Sequence, residues 1–278
     1  MTTSQRPLLL ITNDDGIASP GLHAAAEAVA PLGDLLIVAP HHQQTGAGRS
    51  FRPITDHRIY RHTLDIAGQP VTAYSIKGTP AQVVNAALLD LADRPVALTI
   101  SGINFGENIG SGVTISGTVG AALESASHGI PALAVSLETP PEYHNSHSSE
   151  VEFSAAAYFT RFFARKALSL CPFPPDVDVI KIDVPANATP ATPWRVTSVS
   201  RQSYHYAIPA PPEKRGRMLE PGYVSRIDTE ALEPDSDIWA VCIDKVVSVS
   251  PISLNLTSRI PLASLAEQLD GDGSNTHL

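Results

Sequence analysis

The run Leu8-Leu9-Leu10-Ile11-Thr12-Asn13-Asp14-Asp15-Gly16 constrains this chain more than any other stretch. Apolar and β-branched residues lead into two adjacent carboxylates and then a glycine. A short continuous apolar run of this kind reads as a strand buried on both faces, as in a parallel sheet. Open parallel sheets bind ligands beyond the carboxyl ends of their strands, which is where Asp14 and Asp15 fall. Side-by-side carboxylates repel each other unless a cation sits between them. Asn-Asp-Asp-Gly is also good turn chemistry. On this stretch alone, a metal site and a plain turn weigh evenly.

The pattern continues downstream as strands alternating with helices. Ser19-Pro20 reads as an N-cap followed by proline at the first helical position. Leu22, Ala25, Ala26 and Val29 then recur at helical spacing, and Pro31 and Gly33 stop the helix. Leu35–Ala39 is a second buried strand, completing a βαβ unit that crosses over right-handed. Residues 51–77 are β-rich and irregular. Thr79 and Gln82 fit a capping box, opening a helix with Val84, Ala87, Leu88 and Leu91 on one face. Val96–Ile100 is another strand, and Ser101–Gly112 after it reads as a loop whose glycines permit close backbone approach. Ser116-Gly117-Thr118 starts a helix through Val119, Ala122, Leu123 and Ala126 to Gly129, followed by a strand over Ile130–Leu137. Ser149 and Glu152 suggest a second capping box, opening a helix to Leu170, and Val177–Val184 is a strand. From residue 186 the pattern weakens. Pro209-Ala210-Pro211-Pro212 and Lys214-Arg215-Gly216-Arg217 read as an exposed excursion, Ile238–Val249 as one or two strands, Pro261–Leu269 as a short helix, and Asp270–Leu278 as a frayed tail. The alternation predicts an α/β fold with a mostly parallel sheet.

Composition narrows the partners. With 278 residues and 43% hydrophobic content, the chain can bury a sizeable core. A net charge of −9 argues against a stable complex with nucleic acid, which needs a basic stripe, while leaving room for a phosphate held locally by a metal. Cys171 and Cys242 have no metal-ligand spacing and suggest no disulfide framework. Met1–Pro7 leads straight into the first strand without a signal-peptide pattern, and no apolar run is long enough to span a membrane. The expectation is a cytoplasmic protein without a membrane partner.

If the strands are parallel, three loops emerge at one edge: Asn13–Gly16, Pro40–Ser50 and Ser101–Ser116. Their pooled groups are Asp14, Asp15, the Thr45 hydroxyl and the Asn104 amide. All are oxygen donors, the set a hard cation such as Mg²⁺ or Mn²⁺ prefers. None of these loops contains cysteine, which argues against a thiolate zinc site. His41 and His42 are in reach, although adjacent loop histidines are more often solvated. The Ser116-Gly117-Thr118 start offers free N–H groups and the positive end of a helix dipole, which suits a phosphate. Taken alone, Ser116 is more simply an N-cap. The Gly46-Ala47-Gly48 loop lacks the Gly-Lys-Ser/Thr of a P-loop, and there is no Gly-x-Ser-x-Gly elbow.

Five pieces in order resemble the SurE family, the survival-protein nucleotidases. They are Thr12–Gly16 with Ser19-Pro20-Gly21, Val38-Ala39-Pro40 with Thr45-Gly46-Ala47-Gly48, Lys77-Gly78-Thr79-Pro80-Ala81, Ser101-Gly102-Ile103-Asn104, and Ser116-Gly117-Thr118-Val119-Gly120-Ala121-Ala122. Ile182-Asp183-Val184-Pro185 and Ser248–Ile252 match more loosely. The resemblance implies a metal-dependent phosphomonoesterase of the 5′-nucleotidase type, hydrolysing nucleoside monophosphates with a metal-activated water. It implies one divalent ion per subunit, Mg or Mn, on Asp14, Asp15, Thr45 and Asn104, with Asp14 and Asp15 catalytic and Asp14 serving as ligand and base. Asn13, Asn104, Ser116, Gly117 and Thr118 would contact substrate. It further implies a Rossmann-like three-layer core over residues 1–185, a β-rich C-terminal extension over 186–278 that exchanges between subunits, and hence a homodimer or homotetramer. Thr45 stands where the family commonly has serine. His41, Gln82, Phe105 and Ile115 also depart from common family residues, and these departures bear on substrate choice rather than on the metal shell. Two rivals stand beside this reading: Asp14 as a covalent nucleophile, and a scaffold-retaining nucleotide-binding or regulatory protein with weak or no turnover.

Overall fold

The fold rests on a nine-stranded mixed sheet with helices on both faces. In the computed structural model, which describes residues 5–144, 146–148, 150–214, 216 and 222–270, the elements are β1 (Leu8–Thr12), α1 (Pro20–Val29), β2 (Asp34–Pro40), β3 (Ile59–Ile66), β4 (Gln69–Ile76), α2 (Pro80–Ala86), β5 (Val96–Phe105), α3 (Gly117–Ser127), β6 (Ala132–Leu137), α4 (Ser154–Leu170), β7 (Val179–Val184), β8 (Trp194–Val196), β9 (His205–Ile208), β10 (Gly222–Ser225), β11 (Val247–Ile252) and α5 (Leu262–Asp270). The main sheet runs β3-β4-β2-β1-β5-β6-β7-β11-β8, and β9 and β10 form a separate antiparallel hairpin. The six strands from β4 to β7 are mutually parallel, while β3 and β11 pair antiparallel with their neighbours.

β1 is central, and its alternation splits the core. Leu9 and Ile11 pack with α1 and α4 residues such as Leu22, Ala26, Phe159 and Phe163. Leu8 and Leu10 pack on the other face with Val83, Val84 and Ala87. The chain leaves β1 toward β2 on one side and later places β5 on the other. The β1/β5 boundary is therefore a topological switch point, where open α/β sheets form their ligand crevice.

Several local expectations change. β5 does not stop at Ile100 but continues to Phe105, pairing Asn104 with Ser136 and Phe105 with Leu137 after a register shift. Gly102 makes the irregularity possible: its φ is +130°, and a Cβ there would lie 2.2 Å from the Val135 carbonyl oxygen. Ser19 occupies the N-cap position of α1, but its buried hydroxyl makes no capping bond. Thr79 and Gln82 do form the reciprocal box at α2. α4 starts at Ser154, after Phe153 has entered the core. Glu152 accepts from the Ser154 N–H at 2.8 Å, and Ser149 lies outside the described residues. Trp239–Ile243 is a helical turn rather than a strand. Asp237 Oδ1 and Ser236 Oγ accept the N–H groups of Ile238 and Trp239, which favours that turn. Arg215, Arg217 and the 271–278 part of the tail also lie outside the described residues. No helix among the described residues is long and apolar enough to cross a membrane.

Beyond residue 186 the chain returns to the sheet. β11 pairs with β7, and β8 pairs with β11. A fully buried charge cluster reinforces this return: Lys181 Nζ donates to Asp183 Oδ2 and, at 3.1 Å, to Asp237 Oδ2. Burial penalises the Lys181 ammonium, but the two carboxylates outweigh it and hold its pKa above the ordinary value. Asp183 Oδ1 accepts from Asn108 N at 2.8 Å, and Asp237 accepts from Gly110 N at 3.1 Å and Ser200 N at 3.0 Å. Breaking a buried ion pair leaves an uncompensated charge. We therefore expect Lys181→Met to cost about 3–5 kcal/mol of stability, read as a lower urea midpoint. An unchanged midpoint would mean that the cluster carries no net stability.

Candidate active site

The turn after β1 is built by Asn13. Its side chain is fully buried, with Nδ2 donating to the Gly16 carbonyl and Oδ1 accepting the Gly16 N–H, both at 3.1 Å. Gly16 takes a φ of +99°, a conformation that favours glycine. The next residue ties this turn to β2, because Ile17 N donates to Pro40 O at 2.9 Å. Asn13 thus shapes the turn, and its amide is committed there.

Asp14 and Asp15 are both buried, 4% and 2% exposed. Their hydrogen bonds draw distant loops together. The Thr118 hydroxyl donates to Asp14 Oδ1, and Gln44 N donates to the Asp14 main-chain oxygen at 2.7 Å. Asp15 Oδ1 accepts from Gln43 Nε2 at 3.1 Å, and Asp15 Oδ2 accepts from Phe105 N at 3.3 Å. His147 Nε2 donates to the Asp15 carbonyl at 3.1 Å. Gly117 lies flat against Asp14: a Cβ on it would come within 2.7 Å of Asp14 Cβ and Oδ2.

The electrostatics are those of an unfinished site. Burial pushes the Asp14 carboxyl up to about 6 despite the Thr118 hydrogen bond. Burial and then the Asp14 charge push Asp15 well above the usual carboxylate range. Among the described residues no lysine, arginine or histidine forms an ion pair with either carboxylate. Two buried, like-charged groups without a counter-charge suit a cation. Other oxygen donors are at hand. Asn104 commits its Nδ2 to the Phe105 and Gly106 carbonyls at 3.2 and 2.7 Å, which leaves Oδ1 as its free acceptor. Thr45 is exposed and lines the same cavity as Asp14, Asn104 and Ser116. The residues present therefore fit a hard divalent cation.

The cavity measures about 470 Å³, within the range of small-molecule sites. Asp15, Asn13, Gly117 and Thr118 do not line it. Ser116 lines it while its hydroxyl caps α3 by accepting Val119 N at 3.1 Å. Among the substituted positions, Phe105 and Ile115 line the cavity. His41 and Gln82 face a separate, smaller one with Arg52 and Lys77. There His41 Nδ1 meets Ser75 Oγ at 2.8 Å, and Gln82 completes its capping box. Sequence reasoning missed Gln43 as a partner of Asp15, and it missed Glu107, His144, His205 and Tyr223 as cavity residues. Gln43 sits in a loop already singled out. Glu107 likewise sits in the singled-out Ser101–Ser116 loop, whereas His144 has no local pattern and His205 and Tyr223 come from the hairpin β9–β10.

The family model described as "Survival protein SurE" matches residues 9–206. The "5'-nucleotidase SurE" of Thermococcus kodakarensis is 38% identical over 253 residues, covering 91% of this chain and 94% of the relative. The protein of the same name from Thermococcus gammatolerans is 36% identical, over 96% of this chain and 98% of its own. Among solved structures, the SurE protein from Aquifex aeolicus superposes with a TM-score of 0.71 at 28% identity, covering 95% of this chain and all of that one.

One cavity carboxyl has a testable titration. Burial raises Glu107 from 4.5 to about 7. Between these values the unfolded chain has released a proton that the folded protein still holds, so stability falls as pH rises through that window. Glu107→Gln keeps the group neutral at every pH. We expect it to raise the thermal midpoint relative to the parent at pH 8, with little difference at pH 4. The same offset at both pH values would contradict the raised titration.

Proposed function

We propose that this chain, which belongs to the SurE family, is a divalent-metal-dependent phosphomonoesterase that hydrolyses nucleoside monophosphates, of the 5′-nucleotidase type. One observation carries the reading: two adjacent buried carboxylates lack a counter-charge at the switch point of the sheet, beside oxygen donors from two further loops. The printed activity of the Thermococcus relatives supports it.

Asp14, Asp15, Thr45 and Asn104 would hold one Mg²⁺ or Mn²⁺ per subunit. When bound, such an ion neutralises phosphate charge and makes a water more acidic. The chain's own residues set the rest. Thr118 fixes the Asp14 carboxylate, and Gln43 with the Phe105 N–H fixes Asp15. Gly117 keeps the start of α3 against Asp14, so the free N–H groups of that helix end lie next to the acid pair. Asp14, which lines the cavity, would in this reading be both ligand and the base that takes a proton from the attacking water. Residues 1–185 form the catalytic unit in this reading. Residues 186–278 would be the C-terminal extension: its described part returns to the sheet through β8 and β11 and carries exposed Leu262, Leu265 and Leu269 on α5, an apolar set suited to exchange with another copy.

The decisive variant is Asp14→Asn, assayed on a nucleotide panel and an aryl phosphate with Mn²⁺ at saturation. We expect kcat to fall roughly 10²–10⁴-fold, the size of a lost acid–base group. Near-parental turnover would remove Asp14 from the chemistry, and a trapped phosphoenzyme would shift it to a covalent role. Light scattering of the intact chain should give the mass of a dimer or tetramer, and a monomer mass would count against the exchange of α5.

A further inference from the structure

The loop after β2 contributes to two cavities. Thr45 and Gly46 line the large one beside Asp14, while His41, His42 and Gln44 line a smaller one. The charge of the smaller cavity is opposite to that of the acid pair. Arg52 and Lys77 join the two histidines in its wall, and no Asp or Glu lines it. On a chain with a net charge of −9, a concave surface carrying only basic and neutral side chains concentrates positive potential where an anion can enter.

Lys77 Nζ meets Asp56 Oδ2 at 3.0 Å, but the same oxygen also takes Arg58 Nη2 at 2.8 Å and the Tyr60 hydroxyl at 2.7 Å. One carboxylate thus serves two cations. Arg52 forms no ion pair and no side-chain hydrogen bond among the described residues. The field at His41 reflects the excess: after burial, His42, Lys77 and His62 lower its pKa further, and Asp56 alone raises it.

The walls are fixed by neutral bonds. Thr79 Oγ1 donates to Ser50 O and Gln82 Nε2 to Arg52 O, both at 2.5 Å, which fastens the Arg52 segment to the start of α2. The fully buried Ser75 hydroxyl lies 2.8 Å from both His41 Nδ1 and His62 Nε2, so the His41 ring is held through one nitrogen. Size then selects the ligand. The cavity volume of about 210 Å³ lies below the roughly 300–1,000 Å³ of sites for larger organic ligands and suits a small ion with a few waters. A guanidinium fork and an ammonium are the groups that recognise a tetrahedral oxyanion.

We infer that this cavity is a second ligand site, taking a free tetrahedral oxyanion of the phosphate class held by Arg52 and Lys77. Side-chain cations hold the anion here, so the site stands whether or not the acid pair performs the phosphatase reaction. Its occupant would sit beside the loop that carries Thr45: Gln44 lines the cavity while its N–H donates to the Asp14 carbonyl at 2.7 Å.

Equilibrium binding of inorganic phosphate to the full chain tests this, in EDTA and with Mn²⁺ in parallel. Without a divalent cation the acid pair repels an anion, so phosphate bound in EDTA reports on the basic cavity. We expect one phosphate per chain in EDTA, displaced by sulfate, with the same Arg52-dependent site present in the manganese-loaded chain. Arg52→Ala and Lys77→Met should each weaken it at least roughly tenfold, the scale of one lost charge-assisted hydrogen bond. Failure of the parent chain to bind phosphate in EDTA overturns the inference without any variant having to fold. So does phosphate affinity that stays within twofold of the parent in Arg52→Ala. AMP, which carries the same phosphoryl group on a nucleoside, should bind more weakly than phosphate in EDTA, and tighter AMP binding overturns the assignment to a free ion.

Discussion

Two carboxylates on consecutive residues, both withdrawn from water, are the condition that the rest of the structure answers. Left alone they would cost the fold both desolvation and mutual repulsion. The chain answers with fixed donors. Thr118 bonds Asp14, Gln43 and the Phe105 N–H bond Asp15, and Gln44 N and His147 take their main-chain oxygens. These donors come from the loop after β2, the end of β5, the start of α3 and the segment at His147. Holding the acids therefore also holds the loops, and the cavity is a by-product of satisfying one electrostatic demand. The donors leave a like-charged pair still destabilised, which is why both groups remain shifted upward.

A second buried cluster does for the far wall what the acid pair does for the near one. Lys181, Asp183 and Asp237 lie fully inside; Asp183 Oδ1 accepts the N–H of Asn108, and Asp237 Oδ2, which also takes Lys181, accepts that of Gly110. Those two residues belong to the glycine-rich segment that lines the cavity. The segment is thus pinned at one end by Asn104 bonding to its own carbonyls and at the other by the ion cluster. Glycines allow the backbone to turn here, and the charges fix which turn it takes.

Local signals were legible and distant ones were not. β1, the first βαβ unit, the Thr79–Gln82 box and the start of α3 follow from spacing and capping chemistry within a few residues. The pooling of Asp14, Thr45 and Asn104 followed from assuming parallel strands, and the pairing of β2, β1 and β5 supplies that geometry. The end of β5 was misread because glycine usually ends a strand pattern, whereas Gly102 lets this strand bulge and resume. Lys181 and Asp183 alternate with Ile180 and Ile182 as if facing water. They are buried as a pair, with Asp237 more than fifty residues later giving Lys181 a second partner and main-chain N–H groups taking the remaining acceptor capacity. Asn13 and Thr118 illustrate a subtler limit. Their place in the motif was plain, yet the structure commits both side chains to shaping the turn and the acid, away from the cavity surface.

The distribution of charge around the cavity limits where a phosphorylated ligand would lie in it. Among the described residues that line it, none is lysine or arginine. A phosphate dianion therefore gains no cationic side chain there, and the favourable terms for it are the start of α3 and whatever positive charge the acid pair holds. The basic groups Arg52 and Lys77 sit instead in the separate cavity beside His41, away from the carboxylates. At the opposite side of the main cavity, burial lowers His144 and His205 so that both are uncharged near neutral pH, and Glu107, raised to about 7, repels an anion once it is ionised. A phosphate is thus disfavoured on the side of the cavity lined by His144, His205 and Glu107. A phosphorylated ligand would thus be oriented here by desolvation and like charge as much as by attraction.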